Sequence, residues 1–377
     1  MKKILILVLC FCFGMSAVAQ EYVKGEISGV TKHETYTPSF ENDGTDVKPL
    51  NVILMIGDGM GLAHLSTGMY ANGGELTITN LRTCGWVRTQ SGSDFTTDSA
   101  ASGTAYSTGH KTHNGAIGVD MNDNPLPNLP EKLFDDGVVS GIVTTDDMDG
   151  ATPSAFFAHQ ANRNMSDEIW ADLADAKVIF FAGGSWDKFE ELDNKTAKVI
   201  QDRYYVTDVL QGKKVAKAKC LGYLPPKSET ASMSKGRGDF LPSTTEYAIE
   251  FLQSRTNDGK GFFLMVEGAR IDKSSHDNDY PSMVKEVLDF DRAVEAAIRF
   301  AEKDGNTLVI ISADHETGAL SLRSGDPAKG KMKGAFSAKG HTAIPVPLFA
   351  YGPGSQYFMG VQENSDVSDK IETLLSE

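Results

Sequence analysis

Short apolar runs that end in a polar or glycine-rich turn recur along this chain: Asn51 to Ile56, Val138 to Val143, Lys177 to Phe181, Gly261 to Val266, Thr307 to Ile311 and Val346 to Ala350. Continuous runs, rather than alternation of apolar and polar positions, predict strands covered on both faces. Between the fourth and fifth runs, Val284, Val287, Leu288, Val294, Ile298 and Ala301 recur at helical spacing, and Gly305 stands where a helix would close. This is a strand, helix, strand unit. Its repetition predicts an α/β fold with a mostly parallel central β-sheet flanked by helices on both faces. No internal repeat is apparent.

The N-terminus follows a different pattern. Lys2 and Lys3 precede an apolar run from Ile4 to Phe13, and Ala17-Val18-Ala19 offers small residues at a cleavage position. Residues 1–19 read as a secretory signal peptide, which leaves 20–377 as one catalytic domain, exported to the periplasm or secreted. The run falls short of the roughly 20 apolar residues that a membrane span needs. Two of the four cysteines leave with the signal. Cys84 and Cys220 remain, either bridged or as separate thiols.

With 36 Lys and Arg against 51 Asp and Glu, the chain carries a formal charge of −15. Loss of Lys2 and Lys3 makes the mature protein more acidic still, so neither nucleic acid nor an anionic membrane is an expected partner. The basic stretch from Lys213 to Arg237, broken by Pro225-Pro226, Gly236 and Gly238, reads as a solvated surface loop.

Acidic residues stand where several of the predicted strands end: Asp58 after the first, Glu267 after the fourth, Asp314 with His315 after the fifth. In an open parallel sheet, ligands bind outside the carboxyl ends of the strands, so residues more than 200 positions apart are candidates for one crevice. Asp272 and His276, four apart, share a face if their segment is helical. An oxygen and a nitrogen ligand there would suit zinc. Asp314-His315 forms a second such pair, and His341 is available to complete one of the sites. The small-residue run Thr97-Asp98-Ser99-Ala-Ala-Ser102 opens like a helix start. A serine there is ordinarily a cap, but beside the positive end of a helix and a nearby cation its hydroxyl becomes a candidate nucleophile.

At this point the chain resembles the alkaline phosphatase family. The matching strings are Gly57-Asp58-Gly59-Met60-Gly61, Thr97 to Ser102, Lys111 to Gly115, Ala151-Thr152-Pro153, Val266-Glu267-Gly268-Ala269 with Ile271-Asp272-Lys273, Ala313-Asp314-His315 and His341-Thr342. They span about Asn51 to Gly352. The resemblance implies an alkaline-phosphatase-like fold with a short crown-type insertion, a homodimer as in the family, and hydrolysis of small phosphate monoesters through a phosphoserine. It implies a first zinc site of Asp272, His276 and His341 and a second of Asp58, Asp314 and His315. It also implies a magnesium site of Asp58, Thr152 and Glu267. Ser99 matches the nucleophile, Arg163 the phosphate-binding arginine, and Asp98 the residue that orients that arginine. Two cations about 4 Å apart suit an in-line displacement at phosphorus.

Two departures stand out. Many family members carry Asp or His two residues before the threonine of the third site, where this chain has Gly150. Weak magnesium binding, with stimulation by added magnesium, is therefore expected, and Asp147 or Asp149 are the candidates to substitute. The gap between Ala319 and His341 is also short, so a more open cleft is expected. A phosphodiesterase or sulfatase would share the metal cage. Absence of a Cys/Ser-x-Pro-x-Arg signal disfavours the sulfatase, and Arg163 favours two free phosphoryl oxygens over a diester. A secreted phosphate- or metal-binding protein without turnover would need an incomplete catalytic set. His33, His64, His110, His113 and His159 read as structural or exposed.

Overall fold

All six apolar runs fall on strands of one ten-stranded sheet, although the strand read as Lys177 to Phe181 begins only at Phe180 and continues to Gly184. A computed structural model describes residues 22–257, 259–326 and 329–376, so the proposed signal peptide lies outside the described residues. In chain order the sheet comprises β1 (Asn51–Gly57), β2 (Thr83–Arg88), β3 (Val139–Asp147), β4 (Phe180–Gly184), β5 (Tyr205–Thr207), β6 (Leu221–Tyr223), β7 (Phe262–Gly268), β8 (Thr307–Ser312), β9 (Val346–Tyr351) and β10 (Gly360–Glu363). Across the sheet they lie in the order β10-β2-β9-β8-β1-β7-β3-β4-β6-β5. Only β9 runs antiparallel to its neighbours. The central strands β1, β7 and β8 are buried along their whole length, which is why they appear as unbroken apolar runs.

Helices cover both faces. Tyr280–Asp304 is the helix read from the valine spacing. Asp279 caps its start by accepting from Ser282 N–H, and Gly305 ends it in the left-handed region at φ 72°. Val284, Val287, Val294 and Ile298 are fully buried beneath it. The helix Ser99–Thr108 is buried on every side, and its small residues make this possible. A Cβ on Gly103 would sit 3.1 Å from Ala155 Cβ, so this helix packs closely on the short helix Ala151–Ser154.

The segment between Ala319 and His341 forms a hairpin, Ser321–Asp326 with Lys331–Phe336, and Val23–Ile27 adds to it antiparallel. The short insertion is thus a three-stranded sheet that borrows its third strand, Val23–Ile27, from the sequence ahead of β1. One reading of the sequence needs correction, and one left open is settled. The basic stretch is not a solvated loop: it holds β6, which is buried, and Arg237 is buried between Glu286 and Asp289 at 2.6 Å from each. The charges of its exposed lysines masked a strand and an internal ion cluster. Cys84 and Cys220 are free thiols on β2 and just before β6, toward opposite edges of the sheet. Among the described residues no helix is long and apolar enough to cross a membrane.

Candidate active site

The strand ends bring the far-separated acids together. β1 delivers Asp58, β7 carries Glu267, and β8 leads into Asp314 and His315. The turn after β1 comes close to its neighbours because Gly59 has φ 71°, and a Cβ there would lie 2.7 Å from Thr317 Oγ1 and 3.0 Å from Asp272 Cα. Its N–H donates to Asp314 Oδ1 at 3.0 Å. The helix Arg270–His276 places Asp272 and His276 one turn apart, with His276 Nε2 3.2 Å from Asp272 Oδ2. His341, on a two-stranded ribbon with Glu316–Thr317, completes a group of Asp272, His276 and His341. Asp58, Asp314 and His315 form a second group. The rings of His315 and His341 stack at 3.5 Å between centroids, so the two groups adjoin.

The proton positions on the three imidazoles follow from their partners, because a carbonyl only accepts. His341 Nδ1 donates to Thr97 O at 2.9 Å and His276 Nδ1 donates to Lys339 O. Both Nε2 atoms then present lone pairs to each other at 3.1 Å, with Asp272 beside them. Thr317 Oγ1 donates to Asp272 Oδ1 and takes the His315 Nδ1 proton at 3.2 Å. His315 Nε2 thereby faces Ser99 Oγ at 3.1 Å, Asp314 Oδ2 at 3.1 Å and Asp58 Oδ1 at 3.4 Å. Acceptors gathered this closely repel one another unless a cation lies among them.

The acids show the same tension. Burial, then repulsion from Asp314, Asp272 and Glu267, pushes the Asp58 carboxyl well above the ordinary carboxylate range. Burial and the Asp146 charge push Glu267 up to about 8. Burial brings His341 down to about 4, helped by the neighbouring His315. Asp272 goes the other way: although burial opposes ionisation, protonation of the imidazoles in the absence of a cation, His276 foremost, holds it well below the usual range. Asp58 Oδ1, Thr152 Oγ1, Glu267 Oε1 and Asp314 Oδ2 are buried with no hydrogen-bond partner. Unpaired buried oxygens are costly, and a divalent cation is the group they fit. The two mixed nitrogen and oxygen groups suit zinc. The all-oxygen set of Asp58, Thr152 and Glu267 suits a harder ion such as magnesium.

Ser99 is the first residue of its helix rather than its cap. Asp98 is the cap, accepting from Ala101 N–H at 3.0 Å. The same carboxylate takes the Gly115 N–H at 3.1 Å and Arg163 Nη1 at 3.2 Å. Arg163 is further fixed by its own N–H, which donates to Gly115 O at 2.7 Å. One carboxylate therefore locks the hydroxyl's helix and the guanidinium in register. The Lys111 to Gly115 string owes its place here to that amide, while Lys111 itself bonds Gln90 O and Asn364 Oδ1 on the far side.

The candidate ligands and catalytic residues read from the sequence lie in this crevice or border it, whereas Asp147 and Asp149, the candidates to substitute for a side chain at 150, face Lys188. The remaining histidines hold structural contacts: His33 to Asp291, His64 to Ser275, His110 to Thr108, His113 to Asp123, and His159 to Glu131. Thr317 and Asp146 were missed. Thr317 follows Asp314-His315 closely enough to have been a candidate. Asp146 sits in an acidic run without a distinguishing neighbour, and the carboxylate against Gly150 is that of Asp146, with only the backbone oxygen of Asp147 beside it.

A sheet with acids, imidazoles, a serine at a helix start and an arginine gathered at its carboxyl edge defines the metal-dependent α/β hydrolases as the class. The family model for alkaline phosphatase matches residues 49–179 and 184–335. Alkaline phosphatase 4 of Bacillus subtilis is 32% identical, over 86% of this chain and 88% of that protein. The solved alkaline phosphatase of the Antarctic bacterium TAB5 superposes with a TM-score of 0.81 at 35% identity, over 87% of this chain and 99% of that one. A variant of that enzyme, with the same TM-score and identity and covering 87% and 98%, was solved with magnesium bound in its M3 site. The chain belongs to the alkaline phosphatase family and is a phosphomonoesterase.

Proposed function

We propose that the protein hydrolyses small phosphate monoesters through Ser99. Supporting this reading above all is the convergence of Ser99 Oγ on His315 Nε2, at 3.1 Å, inside a set of acceptors that only cations satisfy. Asp272, His276 and His341 would hold one zinc ion, Asp58, Asp314 and His315 the other, and Asp58, Thr152 and Glu267 a magnesium ion. When bound, such ions supply positive charge that favours the serine alkoxide and neutralises the departing oxygen.

The chain's own groups do the rest. Arg163, about a third exposed at the crevice mouth, commits Nη1 to Asp98 and offers the remaining donors of its fork to two phosphoryl oxygens. Ser99 Oγ attacks phosphorus in line, the ester P–O bond breaks, and the alcohol departs with a proton from water, leaving phosphoserine. The hydroxide left by that water then attacks from the opposite side, the Ser99 O–P bond breaks, and inorganic phosphate leaves with the Ser99 alkoxide regenerated. Because both attacking oxygens act deprotonated, activity should rise from neutral into alkaline pH. The leader-like residues 1–19 support export, and the family supports a homodimer. Release of p-nitrophenol from p-nitrophenyl phosphate, compared with its diester and its sulfate, tests the assignment. A faster diester or sulfate reaction would contradict it.

A further inference from the structure

Three oxygen ligands, Asp58, Thr152 and Glu267, satisfy only part of an octahedral shell, and magnesium fills the remainder with water. Those waters need acceptors. Asp146 stands in the place to supply one. Its backbone N–H donates to Thr144 Oγ1 at 2.8 Å, and that hydroxyl donates to Glu267 Oε2, which ties the residue to a ligand of the site. Its carboxylate is paired with Lys273 Nζ, the residue after Asp272. A Cβ added to Gly150 would lie 2.6 Å from Asp146 Oδ2, 2.8 Å from the Asp147 carbonyl oxygen and 2.9 Å from Asp146 Cγ. The missing side chain two positions before Thr152 is therefore what makes room for this carboxylate.

Local geometry explains how Asp146 gets there. The β3–β4 register shifts between Val143 and Asp147, re-aiming the strand end at the crevice. The neighbouring acids turn away: Asp149 accepts from Lys188 at 2.8 Å and from Ser166, and Asp147 lies 3.6 Å from Lys188.

We propose that Asp146, fixed by Lys273, is a positioning residue that holds the water shell of a magnesium ion at Asp58, Thr152 and Glu267, in space left by Gly150. The inference rests on reading those three residues as a cation site, and it replaces the weak magnesium binding expected from Gly150 alone.

Calorimetric titration of Mg2+ into zinc-loaded, magnesium-free protein tests it. Asp146→Asn should weaken Mg2+ at least tenfold, in line with the ~10–100-fold cost of losing an outer-shell partner. Gly150→Ala, which keeps every acid but displaces Asp146, should weaken it as well. Adding Gly150→Asp to Asp146→Ala, which empties that space, should restore most of the affinity by returning a carboxylate to it. Unchanged affinity in Asp146→Asn, or no restoration in the double variant, would overturn the proposal. The titration does not depend on turnover. Absent monoester hydrolysis with Asp146-dependent binding would sink the functional reading alone, whereas normal hydrolysis with Asp146-independent binding would sink only this inference.

Discussion

Two places in this molecule bury carboxylates together, and they solve the problem differently. On the long helix, Glu286 and Asp289 face Arg237, which lies 2.6 Å from each with nearly no solvent contact. At the strand ends, Asp58, Glu267, Asp272 and Asp314 are equally buried, yet Asp58, Asp272 and Asp314 have imidazoles beside them and Glu267 a threonine hydroxyl, none of them a permanent cation. The first cluster carries its own permanent cation. The second has no permanent cation among its ligand groups and leaves four buried oxygens unpaired, on Asp58, Thr152, Glu267 and Asp314, against Asp289 Oδ1 alone among the carboxylate oxygens of the first. Burial of acids alone does not identify a functional site. The sign of the charge missing from the cluster does.

The sharpest break in that comparison comes from the reacting hydroxyl. Ser99→Ala should lower kcat roughly 10⁴-fold or more, about 5 kcal/mol on the barrier, while zinc content by mass spectrometry stays at the wild-type level. Loss of zinc with the serine would show that Ser99 belongs to the cage rather than to the chemistry. Arg237→Met tests the opposite cluster. Leaving two buried carboxylates without their cation should cost about 3–5 kcal/mol in urea unfolding, and added zinc or magnesium should not recover it. Recovery by metal would erase the distinction drawn here.

Smaller effects sharpen it. Arg163→Ala should reduce kcat/KM about a hundredfold, as expected for the loss of charge-assisted hydrogen bonds of about 1.5–3 kcal/mol. Inorganic phosphate should inhibit the variant correspondingly less. The smallest effect concerns a third kind of pair, in which the cation itself titrates. Burial opposes charge on His159, but its Glu131 bond at 3.1 Å raises its pKa above the ordinary 6.5. A folded value above the unfolded one contributes stability that is complete below about pH 6.5 and lost as pH rises through the folded value. Thermal unfolding of His159→Gln should therefore fall less between pH 6.5 and 8 than wild type does. An unchanged slope would show that the pair contributes nothing.

What the sequence revealed, and what it concealed, divides along the same physical line. Strands β1, β3, β4, β7, β8 and β9 were legible because burial on both faces writes a continuous apolar run. Strand β2 was not: Cys84, Trp86 and Arg88 point outward in alternation with buried positions, and the run contains too few aliphatic residues to stand out. Asp272 and His276 were legible through helical spacing. Asp146 was not, because its role depends on a register shift and on the space beside Gly150, neither of which has a period. Arg237 looked like a loop cation because its partners lie some fifty residues away on another element.

The central claim is that the strand-end cluster is a cage for two catalytic cations. Zinc titration of chelator-stripped enzyme, followed by p-nitrophenyl phosphate hydrolysis, tests it most directly. Activity should be absent after stripping and should return to a plateau at two equivalents of zinc per chain. Full activity in the stripped enzyme, or no return on adding zinc, would contradict the account.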